Sequence, residues 1–155
     1  MSVPLNFESS LALRKPSNAE KRVLVVEDNQ VIADTMAMVL RSAGFHAVAA
    51  LGGRHALALL QCGSFDLLLS DVMMPEVSGV ELAIEATKSR YVGKVLLMSG
   101  VSATADLLSK ARKRGYTFEI LAKPTHPTEV IDRIRCLLDI AVKGRSEDSG
   151  LHPNI

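Results

Sequence analysis

Residues 65–79 read FDLLLSDVMMPEVSG. Leu67, Leu68 and Leu69 make an apolar run too short for a helix and without polar alternation. That is the pattern of a strand covered on both faces of a parallel sheet. The run ends in Ser70 and Asp71, so a buried strand delivers a carboxylate at its carboxyl end.

Comparable runs lie on either side, at 23–26 (VLVV), 47–50 (AVAA) and 95–98 (VLLM), with a weaker one at 118–121 (FEIL). Helical periods fill the intervals. Ile32, Met36, Val39, Leu40 and Ala43 share one face, and Gly44 ends that helix. Ala56, Leu57 and Leu60 mark a second helix, Val80, Ala83 and Ile84 a third, and Leu107, Leu108 and Ala111 a fourth. The fifth has the clearest stripe, Val130, Ile131, Ile134, Leu137, Leu138 and Ala141, with Pro127 at its first position and His126 as its cap. Strand and helix alternate five times, which predicts an α/β fold, a doubly wound parallel sheet with helices on both faces. Met36, Met38 and Met98 read as core fillers, and His46 and His55 as surface residues.

The flanks differ in character. Residues 1–20 are polar and Pro-containing, with at most one helical turn around Leu11 to Leu13, and residues 143–155 are rich in polar residues, Gly and Pro. A folded domain over 21–142 between two tails is the expectation. With 48% apolar and 23% charged residues the 155-residue chain is globular and long enough for a core without disulfides. A net charge of +1 makes no case for a nucleic-acid or membrane partner. Two distant cysteines, Cys62 and Cys136, suit the cytoplasm, and no apolar run reaches the ~18 residues a membrane helix needs.

Ligands of such sheets bind outside the carboxyl ends of the strands. There stand Glu27 and Asp28 after strand one, Asp71 after strand three, Ser99 after strand four and Lys123 after strand five. Strand two brings nothing comparable, which suits an outlying position. Singly, each has a bland reading: Asp71 a turn residue, Ser99 a helix cap (Ser102 being better placed), Lys123 a solvated charge. Together they form a chemical set. Carboxylates ~5 Å apart repel by about 3 kcal/mol per pair at an effective dielectric of ~20. A divalent cation with hard oxygen ligands, Mg²⁺, removes that cost. Lys123 and Ser99 would then serve the oxygens of a phosphoryl group accepted by a carboxylate.

The residues quoted resemble the receiver domains of two-component signalling. Residues 23–29 (VLVVEDN) are similar to their first strand and acidic pair, and 65–75 with Gly79 to the segment around their phosphorylated aspartate. Lys123-Pro124 resembles their lysine–proline pair, and Gly44-Phe45 with 53–57 (GRHAL) their second strand and helix. The resemblance spans about residues 21–142. It implies a flavodoxin-like five-stranded sheet of order 2-1-3-4-5, and a cis peptide before Pro124. It implies Asp71 as phosphoacceptor, Asp28 as a direct Mg²⁺ ligand, Glu27 as a second or water-mediated one, and the Met73 carbonyl completing the metal site. Ser99 would bind the phosphoryl group and Lys123 would pair with it. A histidine kinase or histidine phosphotransfer protein would be the donor, and the chain would be a signalling module, not an enzyme beyond accepting and hydrolysing its own phosphoryl group. Only about 14 residues follow the fifth helix, so a stand-alone regulator acting on a downstream protein is the expectation. The face of helix 4, strand 5 and helix 5 is the candidate dimer face.

Some positions depart from the family pattern. Where most members carry an aromatic residue three positions before the lysine, this chain has Ile120, with Phe118 on the same strand face one step earlier. The segment from Gly115 to Lys123 is about a residue longer than usual, a shift that would move this alignment. Thr125 follows Lys123-Pro124, and Met73 and Val101 put apolar groups near the site. An interaction module that signals without phosphorylation is therefore the alternative. A phosphatase with an aspartyl nucleophile would typically carry a second aspartate at position 73, where Met73 stands. Lys110, Arg112, Lys113 and Arg114 close the fourth helix, where the helix dipole favours cations.

Overall fold

The structure, a computed structural model, describes residues 20–100 and 104–140. Five strands alternate with five helices: β1 Arg22–Glu27, α1 Gln30–Ser42, β2 His46–Leu51, α2 Gly52–Cys62, β3 Phe65–Asp71, α3 Gly79–Lys88, β4 Val92–Ser99, α4 Thr104–Lys113, β5 Glu119–Ala122 and α5 Pro127–Leu137. All pairings are parallel and the order is β2-β1-β3-β4-β5. This is the doubly wound sheet expected, with β2 at an edge.

The unbroken apolar runs follow from a sheet with two buried faces. Leu24, Val26, Leu68, Val95 and Leu97 belong to one core, with Ala56, Leu60, Val80, Ala83 and Ala111 from α2, α3 and α4. Val23, Val25, Leu67, Leu69, Leu96 and Met98 belong to the other, with Ala37, Leu40, Val130 and Ile134 from α1 and α5. Successive strand residues point to opposite faces, so a strand buried on both sides has no polar positions to alternate.

Local signals set the ends of the elements. Asn29 caps α1, its Oδ1 accepting from the Ile32 amide at 3.1 Å, and Ser78 caps α3 by accepting from the Glu81 amide at 3.1 Å. Gly44 at φ +100° turns the chain out of α1. His126 caps α5, its Nδ1 accepting from the Thr128 amide at 3.1 Å, with Pro127 opening the helix as expected. Lys123-Pro124 is cis. His46 and His55 are exposed as read, and the His55 Nδ1 accepts from the Leu51 amide at 3.0 Å.

Three expectations need correction. The buried stripe of α1 is Ala33, Ala37 and Leu40, not the face that begins at Ile32, which is 49% exposed. Small alanines let the helix lie close to the sheet, and the larger Ile32 lines a cavity beside Glu27 and Lys123. Met38 is 62% exposed and is no core filler, whereas Met98 is buried. The strand expected from Phe118 begins at Glu119, so Phe118 lies just before β5, although it packs half-buried against the same core as Ile120, as expected. The expectations at Leu11 to Leu13, Val101, Ser102 and Ala141 lie outside the described residues.

Candidate functional site

The register carries the acidic residues to one place. Val26 pairs with Ser70, so Glu27 and Asp71 emerge side by side from β1 and β3 at the carboxyl edge of the sheet. Glu27, Asp28 and Asp71 each present a carboxylate oxygen within 4.8 Å of the others. Glu27 and Asp71 are buried, and Asp28 is exposed at the mouth. The fold thus confines three acidic groups in a space where repulsion is costly.

Lys123 offsets part of that cost. Its Nζ lies 3.2 Å from Asp71 Oδ2 and 3.6 Å from Glu27 Oε2. The backbone holds it there, because the Lys123 amide donates to the Ser99 carbonyl at 2.9 Å where β4 and β5 end together. Thr125, just beyond, donates its hydroxyl to the Ala122 carbonyl.

Ser99 stands beside this group, one residue past Met98, the partner of Asp71 in the β3–β4 register. Its hydroxyl donates to Thr104 Oγ1 at 2.6 Å. Met73 lies in the loop directly after β3 and is 48% exposed.

Glu27 is the strained member. Its Oε1 accepts from the Asp28 amide at 3.1 Å, while Oε2 is buried without a hydrogen-bond partner. Burial foremost, then Asp28 beside it and the charge of Asp71, hold its carboxyl above the usual carboxylate range, against the pull of Lys123 and of the Asn29 backbone. The folded state therefore binds this proton more tightly than the unfolded chain. Without a cation, the Glu27 contribution to stability falls as pH rises through the window from the ordinary carboxylate value to the raised one. Hard oxygen donors, one of them an unpartnered buried oxygen, fit Mg²⁺.

The family model for the response regulator receiver domain matches residues 23–135. The chain belongs to that family. The receiver domain is 32% identical to the response regulator receiver protein CpdR of Brucella abortus over 118 residues, which are 76% of this chain and 97% of that protein. It is 29% identical to the cell cycle response regulator CtrA of Brucella ovis, covering 76% of this chain but 50% of CtrA. Among solved structures, a CheY-like receiver domain protein of Methanospirillum hungatei superposes with a TM-score of 0.70 at 27% identity, over 77% of this chain and 94% of that one. The response regulator TrrA of Thermotoga maritima, in complex with Mg²⁺–BeF, superposes at 0.64 with 29% identity, over 76% and 98%.

The receiver domain has an acidic pocket of Glu27, Asp28 and Asp71 suited to a divalent cation. Among the described residues no helix is long and apolar enough to cross a membrane. Sequence reading located the pocket but missed its surroundings. A cavity of about 520 Å³, lined partly by Ile32, Met36, Met98 and Val130, opens beside Glu27 and Lys123. On the other flank, Arg54 pairs with Glu76 at 2.7 Å. Thr104 was not singled out either, because nothing in a linear pattern ties it to Ser99.

Proposed function

We propose that the receiver domain accepts a phosphoryl group on Asp71 and signals through contacts with other proteins. The observation that carries this reading is the Lys123 ammonium 3.2 Å from Asp71 Oδ2, beside two further carboxylates. An aspartate oxygen needs charge neutralised around an incoming phosphoryl group before it can attack, and the pocket is built for that.

In the proposed step an Asp71 oxygen attacks phosphorus and the bond from phosphorus to the imidazole nitrogen of a phosphohistidine breaks. The departing imidazole takes up a proton. Asp28, Glu27, Asp71 and the Met73 carbonyl would hold Mg²⁺, which when bound supplies positive charge against the phosphoryl oxygens. Lys123 turns from its carboxylate partners toward one phosphoryl oxygen, and Ser99 donates its hydroxyl to another. Water later cleaves the acyl phosphate, returning the Asp71 carboxylate and inorganic phosphate. A histidine kinase or phosphotransfer protein is the proposed donor and a protein the proposed target. TrrA, 29% identical, is seen with Mg²⁺–BeF, which supports a phosphoryl and cation pocket in this fold.

The direct test incubates the full chain with Mg²⁺ and acetyl phosphate, and locates the modification by peptide mass. One labile phosphoryl group on the peptide containing Asp71 is expected; no incorporation overturns the reading. Mg²⁺ alone should also act on the folded state. At a concentration about 100 times its dissociation constant it should stabilise by about 2.7 kcal/mol, a rise of about 10 °C in a melting scan. Asp28→Asn should lose most of that rise, and an equal rise in the variant would remove Asp28 from the metal site.

A second reading, an interaction module that works without phosphorylation, draws on Ile120. It is half-buried in the core that also holds Phe118, in the place of the usual aromatic residue. Beryllofluoride separates the two: partner affinity that does not respond to it favours the module.

A further inference from the structure

Strand β4 is eight residues long and β5 only four. Val92, Lys94 and Val95 pair with β3, but β5 begins opposite Leu96. The first half of β4 therefore has a strand on one side and none on the other. Such an edge directs the N–H and C=O groups of alternate residues outward, where another extended chain can pair with them. Residues 92–95 leave room for a strand of about 13 Å.

This edge opens on a slot of about 290 Å³, lined in part by Gly93, Lys94, Val95, Phe118, Glu119 and Leu137. Phe118 packs on the core shared with α3 and α4, and Leu137 on the core shared with α1 and α5, so the slot has an apolar wall on each face of the sheet. The surface around it is cationic. Lys88 ends α3, Arg90 follows it, Lys94 stands in β4, and Arg112, Lys113 and Arg114 close α4, all exposed at the amino edge of the sheet. Among the described residues none of these six forms an ion pair. Of the acids nearby, Glu119 is held by Arg133 at 2.6 Å and Asp66 accepts from the Arg22 amide at 2.8 Å. Glu85, which accepts from the Ser89 hydroxyl, and Asp139 remain. The helix dipole accounts for cations at the end of α4, but not for Lys94 in a strand or Arg90 beyond α3.

We propose that residues 92–95 of β4 are a docking edge for an extended acidic segment of a partner protein, which adds to the sheet in line with β5. Backbone pairing supplies affinity and alternate side chains supply selectivity. Acidic side chains face the cations of α3 and α4, and the apolar ones between them face Leu137. The slot lies at the opposite edge of the sheet from Asp71, so its occupation does not require a phosphoryl group.

The test follows the ¹⁵N-labelled full chain by NMR as an end-blocked peptide of alternating glutamate and valine, six residues long at about the span of the slot and its rim, is added at low salt. Two further versions of the peptide are N-methylated, each on one of the two alternate sets of residues. Signals of residues 92–95 and 117–119 should shift, and amide exchange within 92–95 should slow. Only one set of peptide amides can face β4, so one methylated version should bind at least about tenfold more weakly than the other. Lys94→Glu, at an exposed position, should weaken the unmethylated peptide about fivefold.

No shift, shifts confined to the acidic pocket, or equal binding of the two methylated versions overturns the proposal. So does an oligothymidylate that binds the same residues more tightly than the peptide, which would make the occupant a nucleic acid. In the free chain, contacts from 92–95 to residues 1–19 or 141–155 would make the chain its own occupant, and shifts there that grow with protein concentration would make it a second copy. Either result overturns the assignment to a partner, and none of these outcomes bears on Asp71.

Discussion

In Asp71→Asn, phosphoryl incorporation from acetyl phosphate with Mg²⁺ falls to background, at least about 100-fold below wild type. The amide has the shape of the carboxylate but no anionic oxygen to attack phosphorus, and it is a poor ligand for a hard cation. Structure should survive the change. Asp71 is one of two carboxylates facing Lys123, and Glu27 Oε2 remains 3.6 Å from the ammonium. Removing the Asp71 charge also relieves Glu27, whose carboxyl is raised in part by that charge. The metal-free variant should therefore melt no lower than wild type at neutral pH. A folded Asp71→Asn protein that still labels fully would place the acceptor elsewhere.

Gly79→Ala should destabilise the fold by about 3 kcal/mol, although Gly79 is a helix residue. Helix propensity alone predicts the opposite sign, a gain of up to about 1 kcal/mol. The difference lies in what surrounds the α-carbon. A Cβ at this position would overlap the carbonyl of Asp71 and press on the Val72 backbone. The Gly79 amide meanwhile donates to the Val72 carbonyl at 2.8 Å. Backbone on both sides leaves no flexible side chain to move aside, and the strain falls on the peptide that carries the proposed acceptor. Urea unfolding should show a lower midpoint with an unchanged slope. A stabilised variant would mean that the close approach of α3 to the end of β3 is not maintained in solution.

Much of this molecule is legible in one dimension. The five apolar runs became five strands because each is short, lacks polar alternation and is bounded by polar or turn residues, and that combination has few other solutions. The strand-end rule then gathered Glu27, Asp28, Asp71, Ser99 and Lys123 without any contact information. It worked because parallel strands all present their carboxyl ends at one edge. Boundaries and helix faces were less legible. The face of α1 was misread because Ile32, Met36 and Val39 weigh more on a hydrophobic pattern than Ala33 and Ala37. In the fold it is the small residues that let helix and sheet approach.

The sequence by itself determined the alternation of elements, the two-faced burial of the strands and the acidic, hydroxyl and ammonium groups at their ends. These follow from side-chain type and spacing along the chain, which are local properties. Only the tertiary structure decided that Lys123 reaches both Asp71 and Glu27, that one buried Glu27 oxygen lacks a hydrogen-bond partner, that Ser99 donates to Thr104, and that Gly79 meets the Asp71 backbone. Each depends on the separation of atoms brought together by strand register and helix packing, and no period along the chain encodes a distance across it.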